Sequence, residues 1–188
     1  MRLPPLILAS ASPRRAELLQ HLKLPFEIAP SDASEIYDDQ LSPHELCQLN
    51  AHRKARAVAK KHPDALVLGA DTLVFLGQEI FGKPRDLNEA QSMLARLQGN
   101  THQVVTGVSL MHLRTHREKI FASSTDVAFQ PLDAEQIRDY LSRINPLDKA
   151  GAYAIQEQGE KIVAEISGSY TNVVGLPVER LREELAAW

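Results

Sequence analysis

Residues 65–86 read ALVLGADTLVFLGQEIFGKPRD, and the fold turns on this stretch. Ala65-Leu66-Val67-Leu68 climbs into Gly69-Ala70-Asp71-Thr72, and a second apolar run, Leu73-Val74-Phe75-Leu76, leaves it. Runs this short, rich in Val, Leu and Phe and bounded by Gly, predict buried strands. A carboxylate between two such runs is costly unless something pairs with it. Two readings of Asp71 stand side by side. It caps a turn or pairs with a core Lys or Arg; or it holds a metal or moves a proton, with Lys83 close by on the Gly82-Lys83-Pro84 turn.

Upstream, Leu6-Ile7-Leu8-Ala9 predicts a first strand, followed by the polar turn Ser10-Ala11-Ser12-Pro13 and the helical Arg14-Arg15-Ala16-Glu17-Leu18-Leu19. Ser12 suits the N-cap and Pro13 the first helical position. Leu18, Leu19 and Leu22 form the apolar face. Two arginines in a first helical turn oppose the helix dipole, which is unfavourable unless an anion binds there. Helix-start N–H groups, the Ser10 and Ser12 hydroxyls and two guanidiniums together suit a phosphate. The plainer alternative is a solvated arginine pair on an ordinary capped helix.

Leu24 to Ile28 predicts a second strand, and Ala29 to Asp39 a polar loop in which Glu35 is one of four acidic residues. Ser42 and Glu45 form a capping box ahead of a helix running through Leu46, Leu49, Ala51, Lys54, Ala55 and Val58 to about Lys61. Leu87 to Gln98 is an amphipathic helix ended by Gly99. Thr101–Leu113 and Ile120–Phe129 predict antiparallel strands joined by a basic turn. A helix over Leu132–Leu141, a strand over Ile162–Ile166, a polar turn at Gly168–Asn172 and a last helix over Val178–Ala187 complete the pattern.

The chain of 188 residues fits one domain or two small lobes. A formal net charge of -3 gives no reason to expect a nucleic acid or a membrane surface as partner. The single cysteine, Cys47, excludes an intramolecular disulfide and suits a reducing compartment; on its helix beside Leu46 and Leu49 it reads as core. No secretory signal or membrane-spanning run is visible, so the expected location is cytoplasmic. His44, His52 and His62 do not form a zinc pattern.

Six segments then appear in order: Leu8-Ala9-Ser10-Ala11-Ser12-Pro13-Arg14-Arg15, Gly69-Ala70-Asp71-Thr72, Gly82-Lys83-Pro84, Thr101-His102-Gln103-Val104-Val105-Thr106-Gly107, Asp148-Lys149-Ala150-Gly151-Ala152-Tyr153 and Val174-Gly175-Leu176-Pro177. Together they resemble the Maf family of nucleoside triphosphate pyrophosphatases. The resemblance covers nearly the whole chain. It implies an elongated α/β fold over residues 1–188, a mixed twisted sheet with flanking helices and two lobes around a cleft, related to the inosine triphosphate pyrophosphatases. It also implies hydrolysis to a monophosphate and pyrophosphate, a divalent metal cofactor (Mg, Mn or Co) and a homodimer. Arg14, Thr72 and Gln156 match the subgroup acting on dTTP and UTP; the 7-methyl-GTP subgroup carries Trp, Gln and Glu there. One departure is Arg53, where the family often has Glu before the lysine matched by Lys54.

Under that resemblance Arg15, Lys54 and Lys83 hold the phosphates with Ser10. Asp71 acts as general base or metal-bridging carboxylate, Glu35 helps hold the metal, and Arg14, Thr72 and Gln156 read the base. A Gln amide offers both a donor and an acceptor to the uracil edge. The alternatives are a different base preference, such as 7-methyl-GTP or an atypical purine, or a nucleotide-binding regulator of cell division.

Overall fold

The computed structural model describes residues 3–188. Strand β1 (Leu6–Leu8) leads into helix α1 (Pro13–Gln20), followed by β2 (Phe26–Ile28) and α2 (Pro43–Ala59). The stretch around Asp71 forms β3 (Leu66–Leu76) and β4 (Glu79–Phe81). Then come α3 (Leu87–Leu97), β5 (Thr101–His112), β6 (Arg117–Phe129), α4 (Ala134–Leu141), β7 (Val163–Ser167), α5 (Tyr170–Val174) and α6 (Val178–Ala186). The strands form one seven-stranded sheet in the order β2-β1-β3-β5-β6-β7, with β4 paired to β3 off this path. β1 is parallel to both β2 and β3, with Ile7 opposite Glu27 and Val67. β4 is antiparallel to β3, and β7 to β6, so the sheet is mixed, in line with the α/β expectation. No helix among the described residues is long and apolar enough to cross a membrane.

The most telling difference from the sequence reading lies in β3. Two short strands around a Gly-containing break are expected there, yet a single strand of 11 residues runs straight through Gly69-Ala70-Asp71-Thr72. Gly69 is not a turn residue. It is a place of close approach: a Cβ there would lie 2.4 Å from Ala51 O and 2.7 Å from Ala55 N, both on the backbone of α2. Gly107 on β5 plays the same part, since its Cβ would come within 2.3 Å of the Cys47 carbonyl. Two glycines thus let α2 lie directly on the sheet, closer than any side chain allows.

Local signals explain most helix boundaries. The capping box of α2 is present, with the Ser42 N–H donating to Glu45 Oε2 at 2.9 Å and the Glu45 N–H to Ser42 Oγ. Asp133 and Gln136 build a second box at α4, and the Asp86 carboxylate accepts from Glu89 N at α3. Gly99, at φ +67°, turns the chain out of α3. Two expectations change. The Ser12 side chain does not cap α1; its N–H instead donates to Ser10 Oγ at 3.2 Å. The polar stretch after Gly168 is not all turn, because α5 begins at Tyr170, with the Asn172 N–H donating to Ser169 Oγ.

The chain divides into two compact units. The first comprises the chain up to Asp71, Thr106–Ser123 and Gly175–Trp188; the second comprises Thr72–Val105 and Ser124–Val174. Each has its own apolar core. In the first unit Ile7, Ala9, Ala55, Val58, Val67 and Met111 pack together. In the second, Phe81, Leu94, Leu97, Val127, Phe129 and Tyr140 do so. Within this second core His102, Phe129 and Tyr153 stack edge to face, with ring centroids 4.6 to 5.4 Å apart.

Candidate active site

The close approach at Gly69 decides what faces Asp71. Gly69 and Asp71 are two residues apart on β3 and so share a face of the sheet. The helix turn pressed onto Gly69, Ala51 to Ala55, also carries Lys54. The Lys54 ammonium donates to Asp71 Oδ1 and to Glu35 Oε1, both at 2.6 Å. Asp71 is 2% exposed. Its second oxygen, Oδ2, is buried with no hydrogen-bond partner. A buried carboxylate oxygen without a donor is costly, so this site holds an acceptor that the fold leaves unsatisfied. Of the two readings of Asp71, the pairing with a lysine is present, and the second carboxylate oxygen is left without a donor.

Glu35 sits on an irregular loop that α2 holds in place. Asn50, 1% exposed, accepts from Ile36 N–H at 2.8 Å and donates to Ile36 O at 3.0 Å. This amide clamp fixes the backbone beside Glu35. The Tyr37 hydroxyl donates to Glu35 Oε2 at 3.1 Å. Burial, and then the Glu35 charge, push the Tyr37 phenol above its ordinary range, so it acts as a donor and not as a base. Neither Asn50 nor Tyr37 is anticipated from the sequence. Asn50 does have a signal there, being a polar residue on the apolar stripe of Leu46, Cys47, Ala51 and Ala55.

Arg15 lies on the first turn of α1, as expected, but its guanidinium is held by the protein. Nε donates to Gly175 O at 2.9 Å and Nη1 to Ser10 Oγ at 3.3 Å. Burial lowers its pKa, against the charges of Asp71 and Glu35, which raise it. An arginine remains cationic in either case. Ser10, 8% exposed, thus joins the polar turn to Arg15 through one hydroxyl. Gly175 is a further participant; its segment is visible in sequence, but the use of its carbonyl is not. Arg14 is partly exposed on the same turn.

Ser10, Arg15, Glu35, Lys54 and Asp71 are therefore organised by one unit. Thr72, Lys83 and Gln156 belong to the other. Thr72 is partly buried and follows Asp71 directly on β3. Lys83 is exposed just beyond β4, and Gln156 is exposed in a turn over residues 155–158.

No three His, Cys, Asp or Glu side chains among the described residues gather as a ready-made metal cage. Glu35 and Asp71 nonetheless converge on one cation, the Lys54 ammonium, and Asp71 Oδ2 lacks a donor. One or two carboxylates completed by substrate phosphates and water is the usual way Mg²⁺ is held. The donor set fits such an ion.

A family model described as Maf-like protein matches residues 5–188. A dTTP/UTP pyrophosphatase from Akkermansia muciniphila is 47% identical over 176 residues, covering 94% of this chain and 92% of its own. Proteins of the same description from Symbiobacterium thermophilum and Carboxydothermus hydrogenoformans are 50% and 48% identical, over 93% and 96% of this chain and 89% and 97% of their own. Among solved structures, a HAM1 protein from Coxiella burnetii superposes with a TM-score of 0.58 at 16% identity, over 99% of this chain and 100% of that one. That likeness concerns the fold alone.

Proposed function

This chain belongs to the Maf family, and from that premise we propose that it hydrolyses dTTP and UTP to the nucleoside monophosphate and pyrophosphate. The observation that carries the reading is the buried Asp71 carboxylate, with Oδ1 held by Lys54 at 2.6 Å and Oδ2 unpartnered. Support for the base preference comes from the activity for which the relatives are named and from Arg14, Thr72 and Gln156.

In this reading Asp71 Oδ2 accepts a hydrogen bond from the attacking water and orients it. The Lys54 ammonium holds the carboxylate in place through Oδ1. An Asp is a weak base at neutral pH, so positioning carries more of the rate than proton affinity. Arg15, held by Gly175 O and Ser10 Oγ, brings its guanidinium charge to the phosphate oxygens. Lys83 adds a second positive charge for the triphosphate, and Arg14, Thr72 and Gln156 take the base. Glu35 and Asp71 would hold a divalent cation, Mg, Mn or Co, which when bound neutralises charge on the triphosphate and the leaving pyrophosphate. Assembly as a homodimer belongs to the same proposal, and light scattering in solution tests it.

The test of function is a panel of dTTP, UTP, CTP, 7-methyl-GTP and ITP with product analysis. The expected result is preference for dTTP and UTP and release of pyrophosphate. Preference for a purine overturns the base assignment, and release of orthophosphate overturns the reaction type.

A further inference from the structure

Gln156 is exposed in a turn whose neighbourhood has little regular structure. Between α4 and β7 the chain makes only three short helical turns, at Pro146–Asp148, Ala150–Ala152 and Gly159–Lys161. Its backbone is left-handed at Gly151 (φ +71°), Ala152 (φ +63°) and Gln158 (φ +58°). Non-glycine residues hold such angles only where surrounding contacts impose them.

Three buried polar side chains hold the neighbouring residues of this segment. Tyr140 closes on Ala154 in both directions: its hydroxyl donates to Ala154 O at 3.2 Å and accepts from Ala154 N at 3.1 Å. His102 Nε2 shares a 2.8 Å hydrogen bond with the Tyr153 hydroxyl. Both fix the irregular segment entering the turn. On the far side the anchor is Lys149, only 5% exposed. Its ammonium donates to Asn145 O at 2.7 Å and Asp148 Oδ1 at 2.9 Å, and lies 3.2 Å from Glu157 Oε1. Two hydrogen bonds and one ion pair therefore converge on this ammonium.

The partners explain why a buried cation is worth its desolvation. The Asp148 and Glu157 side chains are 44% and 43% exposed, so water serves them well without a lysine. What the lysine adds is a link from the start of the segment, Asn145 and Asp148, to Glu157, the residue next to Gln156. We propose that Lys149 is a positioning residue for base recognition, setting through Glu157 the turn that presents Gln156. The proposal rests on the assignment of Gln156 to the base. A carboxamide distinguishes uracil from cytosine only if its N–H and C=O are held in register with the base edge, and displacement of about 1 Å loses that register.

The test compares kcat and KM for UTP and CTP in the wild type, Lys149→Met, Glu157→Ala and Gln156→Ala. Glu157→Ala breaks the link from a half-exposed position, so it carries the test if Lys149→Met does not fold. Both link variants are expected to lower the UTP:CTP ratio of kcat/KM about tenfold, the size of one lost hydrogen bond to a base edge, through KM for UTP. Adding Lys149→Met to Gln156→Ala is expected to change the ratio little further. A merely structural lysine lowers turnover of both nucleotides in proportion, and an unchanged ratio in Glu157→Ala overturns the proposal. A wild type that does not prefer UTP to CTP overturns the base assignment itself, and the inference falls with it.

Discussion

Two lysines invite comparison. Lys54 and Lys149 each sit between two carboxylates, one pair in each unit, and both are largely buried, at 14% and 5% side-chain exposure. Around Lys149 the carboxylates are half-exposed, and a backbone carbonyl completes the set. Around Lys54 one carboxylate, Asp71, is itself buried and keeps an oxygen without a donor. The same ionic chemistry therefore does two jobs. Where the carboxylates are half-exposed, it ties two parts of one irregular segment together. Where one is buried, it leaves an oxygen without a donor, the group proposed to orient the attacking water.

The comparison can be broken at its strongest point first. Asp71→Asn keeps volume but removes the carboxylate, and UTP turnover is expected to fall about 10³-fold. Calorimetry with a non-hydrolysable UTP analogue is expected to show binding retained. Near-normal turnover removes Asp71 from the mechanism. Lys54→Met is next. It leaves Glu35 and a buried Asp71 without their cation, so turnover should fall about 10²-fold and stability by about 3 kcal/mol, read by urea denaturation. Unchanged stability would mean that the pair is not the anchor its geometry indicates.

The second unit offers a smaller, pH-dependent test. Burial pushes the His102 imidazole down from 6.5 to about 4. Below pH 6.5 the unfolded chain binds a proton that the folded one refuses, so this residue costs stability as the pH falls towards 4. Between pH 7 and 4.5 the stability advantage of wild type over His102→Gln should shrink by about 2 kcal/mol. A gap that stays constant would show that His102 is not held neutral. The smallest effect expected is the tenfold loss of base discrimination on breaking Lys149 from Glu157. If UTP and CTP turnover instead fell by the same factor, leaving the ratio unchanged, Lys149 would be a stability element only.

Much of this is legible in the sequence, and the exceptions share a cause. Helix starts are local, so the capping box of Ser42 with Glu45 reads correctly. The strand through Asp71 does not, because Gly69 resembles a break until the helix backbone pressed on it is known. Asp71, Glu35 and Lys54 are all identifiable as candidates, but their meeting on one ammonium depends on contacts 17 and 19 residues apart in the chain. Arg15 with Gly175 is more distant still, at 160 residues. Asn50 and Lys149 are the instructive pair. One is a polar residue on an apolar helix face and the other a charge in a Gly-containing loop; both look ordinary until burial shows what they hold.

If the two lysine clusters serve separable ends, one measurement separates them: the UTP:CTP ratio of kcat/KM in Lys54→Met and Lys149→Met, assayed side by side. Lys54→Met is predicted to lower turnover of both nucleotides together and leave the ratio within about twofold of wild type. Lys149→Met is predicted to lower the ratio about tenfold. A ratio that collapses in Lys54→Met, or holds in Lys149→Met, contradicts the account.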